Sequence, residues 1–138
     1  MTTCTFQLVG VPKGHRQISN FRYSGPPKDV ETLEIPFPWF AGGLEEVEAF
    51  SRWAKENKLK VEEPDHVTYV VACKQKHLFA FWQQCYAPVL MQAAKYLASG
   101  DKVSRRADED TIQRVMALRK ALEGLNSRKL YALIAYEY

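Results

Sequence analysis

The residues best placed to do chemistry are cations. In "SGDKVSRRADEDT", residues 99–111, Lys102, Arg105 and Arg106 precede the acidic run Asp108, Glu109, Asp110. A capping and acidic first turn predicts a helix starting near Asp108, and the free N–H groups at a helix start attract anions. Guanidinium forks suit phosphate or carboxylate. Lys102, Arg105 and Arg106 are therefore candidate anion-binding residues on a loop over 102–106. The neighbouring carboxylates compete for the same dipole and the same arginines. No Walker or dinucleotide glycine pattern accompanies them.

Sulfur and imidazole form the second constellation. Cys73, His77 and Cys85 follow the spacing C-x3-H-x7-C, with Cys4 or His66 as a fourth donor for tetrahedral zinc. Paired knuckles are missing, and Cys85 falls on the apolar stripe of a helix, where a free cysteine behaves as a small hydrophobe. "HVT" at 66–68 resembles one H-x-T element of the two-histidine phosphoesterases. That family holds phosphate between two such elements, whereas His15 opens "HRQ" and His77 opens "HLF". The carboxylates of "LEEVE", "VEEPD" and "DED" read as helix starts and solvated faces. No residue is assigned a catalytic or metal-binding role, and no cofactor is expected.

The third feature is aromatic. "IPFPWFAGGLEE", residues 35–46, sets Phe37, Trp39 and Phe40 within four positions. Each proline pushes its predecessor towards extended geometry, so Ile35, Phe37 and Trp39 project to one side and Phe40 to the other. Burying each ring removes about 150–250 Å² from water, so the three are expected to be covered by something. They either plug the core beside Val47 and Phe50 or present an anchor to a partner. Trp39, Phe40, Arg105 and Arg106 are the candidate partner-binding residues.

Hydrophobic periodicity supplies the elements behind these sites. "TFQLVGV", 5–11, alternates as a strand, with "RQISNFRY" as a polar hairpin partner. Leu44, Val47, Phe50 and Trp53/Ala54 mark a helix over about 44–58, and "KLKVEEPD" leads out of it. "HVTYVVACK", 66–74, is apolar on both faces and reads as a central strand. His77 to Ala98 is helical, kinked or divided by Pro88. Ile112, Val115, Met116 and Leu122 give the buried face of the next helix. "KLYALIAYEY" ends the chain as a strand apolar on both faces, fit for the middle of one sheet or a sheet shared by two copies. The expected fold is α+β, residues 1–138 in one domain, with a largely antiparallel sheet of about four strands and about three helices packed mainly on one face.

The totals limit the function classes. With 138 residues, 46% hydrophobic and 25% charged, the chain has the composition of an ordinary globular protein. Residues 1–69 carry eight Lys/Arg against ten Asp/Glu, and 70–138 eleven against six, which accounts for the net +3. A nucleic-acid binder ordinarily shows a stronger basic footprint. Three widely spaced cysteines argue against a disulfide framework and for reduced thiols. "MTTCTFQLVG" lacks a signal-peptide pattern, and no apolar run suits a membrane span, so a cytoplasmic location is expected. The reading is a non-enzymatic binding protein that docks on a protein partner and inhibits or modulates it. Small bacterial or phage inhibitors and immunity proteins share this size and composition, an analogy that rests on no motif. The alternative is a phosphorylated-ligand or nucleotide-binding domain using the 102–106 segment, with Trp82 or Tyr86 stacking a base.

Overall fold

The computed structural model describes residues 4–11, 32–38, 43–65, 67–100 and 105–137. Among these residues five strands and four helices follow in the order β1 (Cys4–Gly10), β2 (Thr32–Leu33), α1 (Gly43–Glu56), β3 (Val61–Asp65), β4 (Thr68–Cys73), α2 (Gln75–Cys85), α3 (Ala87–Ala98), α4 (Arg105–Glu123) and β5 (Tyr131–Glu137). The sheet runs β2-β1-β5-β4-β3, and every neighbouring pair is antiparallel. Four of its strands are full length, and two-residue β2 caps one edge. This is the α+β, largely antiparallel architecture that the sequence predicts. The last strand, apolar on both faces, lies in the centre.

Register explains how the alternating residues divide. Leu8 pairs Leu133, which pairs Val71, which pairs Val61, so one row of side chains crosses the sheet on one face. Leu8, Leu133, Val71, Tyr131 and Cys73 share a buried cluster with residues of all four helices, including Phe50, Trp53, Phe81, Ala87 and Val115. The intervening residues Val9, Val70, Ala132 and Ile134 form a second cluster on the other face. A strand with both sides buried must be apolar throughout, which is why β4 and β5 read as continuous hydrophobic runs.

Several boundaries differ from the sequence expectation for physical reasons. β3 departs from the sequence expectation of a connecting segment, because three acids and a proline fill four of its five positions. It survives as an edge strand, where only one side must pair and Pro64 is tolerated, and its register slips between Glu62 and Asp65. The long helix divides at Tyr86, with Pro88 in the opening turn of α3, where its missing N–H costs nothing. The fourth helix begins at Arg105, three residues before Asp108. The strand expected at "RQISNFRY" lies outside the described residues.

Side chains lock the helices to one another. Trp82 Nε1–H on α2 donates to the Val115 carbonyl of α4 at 3.0 Å. Gln75, at the start of α2, points its amide at the C-terminal end of α4, with Leu122 O at 2.9 Å and Leu125 O at 3.0 Å. Leu122 O also accepts the Leu125 N–H at 3.2 Å, so the amide adds to the bonds that close a helix end whose last carbonyls have no intrahelical donor. α1 closes on Lys58, whose φ of +56° is left-handed, with the Leu59 N–H bonded to Ala54 O at 2.8 Å.

Candidate functional site

The sulfur and imidazole constellation is dispersed by its own packing. Cys73 is buried on the helix-facing side of β4, and burial pushes its thiol up to about 12 despite a backbone hydrogen bond from Leu133. A thiol held protonated is a poor metal ligand and a poor nucleophile. His77 sits in the first turn of α2, where Nδ1 accepts the Lys74 N–H at 3.0 Å. Burial, followed by the charges of Lys76 and Lys74, lowers its pKa. Its imidazole thus caps a helix start in the neutral form. No group of three or more His, Cys, Asp and Glu able to hold a metal ion occurs among the described residues. Thr68 of the "HVT" element is fully buried, with a hydroxyl that lacks a hydrogen-bond partner among the described residues. His66, Cys4's side chain and His15 lie outside the described structure.

Of the three rings in the aromatic segment, the described residues include Phe37. Phe37 is half-buried, its ring centroid 6.0 Å from Phe6 and 6.5 Å from Phe81. Phe81 also meets Phe50, Trp53 and Tyr86, so Phe37 joins the rim of an aromatic core. The chain reaches it through two tight turns, with the Ile35 N–H bonded to Leu33 O and the Phe37 N–H to Ile35 O. Trp39 and Phe40 lie outside the described residues. Trp82 and Tyr86, considered as a stacking platform for a base, are both buried in the same core.

The basic candidates need a correction. Arg105 and Arg106 belong to the first turn of α4 and not to a loop, while Lys102 lies outside the described residues. Arginine and alanine favour helix, and Arg105 Nε–H donates to Glu109 Oε1 at 3.1 Å, an i,i+4 pair that carries the helix back past Asp108. Arg106 is exposed and makes no ion pair among the described residues.

A second correction reveals a surface that periodicity alone concealed. Met116, expected on the buried face, is 46% exposed, and Leu118 is buried in its place. The buried line of α4 is Val115, Leu118 and Leu122, and Met116 lies well round from it. On α3, Met91 is 70% and Tyr96 47% exposed. Met116 joins Gln113, Ala117, Arg119, Lys120 and Glu123 around an open depression of about 480 Å³. Arg119 forms a fixed wall: its guanidinium carbon lies 4.3 Å from the Phe79 ring centroid and 5.2 Å from that of Trp82. Its Nε is 3.5 Å from Glu123 Oε1. Such a shallow bowl with apolar footing and polar rim suits a protruding side chain better than an enclosed small molecule.

No helix among the described residues is long and apolar enough to cross a membrane. No protein-family model matches the chain, and no curated protein or solved structure matches it either.

Proposed function

We propose that the chain is a binding protein that docks on a protein partner and inhibits or modulates it. One observation carries the reading: α3 and α4 leave Met91, Tyr96 and Met116 in the open, although the same helices bury Ala93, Val115 and Leu118. Methionine and tyrosine recur at recognition surfaces because they combine large contact area with adaptable or amphipathic shape. Arg106 is exposed on the first turn of the same α4, and Trp39 and Phe40 belong to the proposal on sequence grounds alone. The phosphorylated-ligand alternative draws less support, since Arg105 is engaged by Glu109. Affinity purification with the tagged full chain tests the reading. A stoichiometric protein whose recovery falls with Arg106→Ala or Trp39→Ala supports it. Repeated recovery of no such protein, together with a melting-temperature rise on adding nucleotides or sugar phosphates, would transfer the weight to the alternative.

A further inference from the structure

We infer that the outer line of α4 is a docking strip for an acidic amphipathic helix of the partner. The inference rests on the binding reading above and names the chemistry of what binds. At about 3.6 residues per turn, Arg106, Gln113, Ala117 and Lys120 fall opposite the buried line of Val115, Leu118 and Leu122. All four are exposed, and Met116 stands beside them in the open depression.

Charge on this strip is matched for the acids and unmatched for two cations. Glu109 is held by Arg105, Asp110 lies 3.9 Å from Arg114, and Glu123 lies 3.5 Å from Arg119. Arg106 and Lys120 have no ion pair among the described residues. They stand fourteen positions apart, which at a rise of about 1.5 Å per residue is about 21 Å. Between them lie the Gln113 amide, the Ala117 methyl group and, to one side, the Met116 thioether, together with the ion-paired carboxylates of Glu109 and Asp110.

An occupant must therefore bring two carboxylates separated by about 21 Å, with an apolar ridge between them. That span exceeds a small ligand. A nucleic acid backbone brings phosphates but no apolar ridge to cover Met116 and Ala117, both exposed. A helix laid along α4 meets the requirement with acids fourteen residues apart and a leucine or methionine over Met116 and Ala117.

Three synthetic helical peptides of about 18 residues test this, sharing one leucine-alanine stripe and carrying Glu, Gln or Lys at the two flanking positions. Binding to the full chain is read by fluorescence anisotropy at low and physiological salt. The Glu peptide should bind tightest and weaken with salt. Arg106→Glu with Lys120→Glu should weaken it by about tenfold or more and make the Lys peptide the tighter one. Met116→Asp should weaken the Glu and Gln peptides alike. All three positions are exposed, so cooperative melting of each variant checks that folding is intact. Equal binding of the Glu and Lys peptides, no binding of either, or a Glu peptide indifferent to the charge reversals would overturn the strip. An oligonucleotide that displaces the Glu peptide at equal charge would also overturn it. A partner recovered by affinity purification that binds the reversed variant at full strength would sink the strip and leave the binding reading standing. Recovery of no partner would sink the binding reading itself.

Discussion

The Trp53 indole N–H, on α1, donates a 2.6 Å hydrogen bond to the carbonyl of His77 in the first turn of α2. Trp53 is fully buried, and its ring packs 5.0 Å from Phe81 and 5.6 Å from Phe50. One side chain thus supplies both core volume and a polar link between helices. Trp53→Phe keeps most of the ring area and loses the donor, for an expected cost of about 1–2 kcal/mol. Trp53→Ala adds a cavity and should cost about 3–5 kcal/mol. Urea titration monitored by circular dichroism distinguishes the two, and a Trp53→Phe midpoint equal to that of the wild type would show that the hydrogen bond contributes nothing measurable.

His77 makes the start of α2 sensitive to acid. Its pKa is lowered from the ordinary 6.5, so the unfolded chain binds the extra proton first as pH falls. Stability is therefore fully present above pH 6.5 and is lost as pH drops through the folded value. The same proton would remove the acceptor that Nδ1 offers to the Lys74 N–H. His77→Gln keeps a side-chain acceptor at this capping position without titrating. The difference in urea midpoint between wild type and His77→Gln should widen in favour of the variant between about pH 7 and pH 5. A difference independent of pH would show that His77 carries none of the acid sensitivity.

Phe37 should behave as a structural ring. It is half-buried against Phe6 and Phe81, so Phe37→Ala is expected to cost about 1–3 kcal/mol, below the toll for a fully buried phenylalanine. Thermal or urea unfolding measures this directly. An unchanged midpoint would mean that its contacts bring no stability and that the ring is available to a partner.

Lys58 offers a gain in stability. Its φ of +56° places a β-carbon in the left-handed region at the end of α1, where glycine carries no steric penalty. Lys58→Gly should raise stability by up to about 1 kcal/mol, net of the added unfolded-state entropy. A lowered urea midpoint would show that the lysine stem packs on the helix end and outweighs the backbone strain.

Particular residues show why some of this was legible and some was not. "YALIAYE" is apolar on both faces, a pattern with few solutions other than an interior strand, and β5 is one. Phe50, Trp53 and Ala54 recur at helical spacing and are all buried. β3 carries no such signal, because an edge strand asks little of its side chains and its stability comes from the ladder to β4. On α4, Met116 and Leu118 are both apolar and differ by two positions, so composition could not choose which faces inward. Leu118 joins the core cluster with Leu78, Trp82 and Ala87 of the neighbouring helices, and the exposed methionine becomes the informative residue. Arg105 and Arg106 looked like loop because the acidic run resembled a first turn. The pair to Glu109 across one turn was the signal that placed them in the helix.

The central position of β5 gives the severest test of the topology. The strand pairs with β1 from Tyr131 to Glu137 and with β4 from Tyr131 to Tyr136. Removing it leaves two facing strands without partners and opens both apolar faces at once. Leu133 and Ile134 alone, each fully buried, would forfeit about 1.5–3 kcal/mol apiece. The lost ladder hydrogen bonds leave interior backbone groups to find water, at a further cost. A loss on this scale rivals the whole net stability of a domain, about 5–15 kcal/mol. Deleting residues 131–138 should therefore abolish cooperative unfolding and near-ultraviolet circular dichroism, whereas Tyr136→Phe, which removes the hydroxyl that donates to Gln7 Oε1 at 2.9 Å, should cost about 1 kcal/mol. A truncated chain that still melts in one sharp transition would place β5 at an edge and refute the strand order.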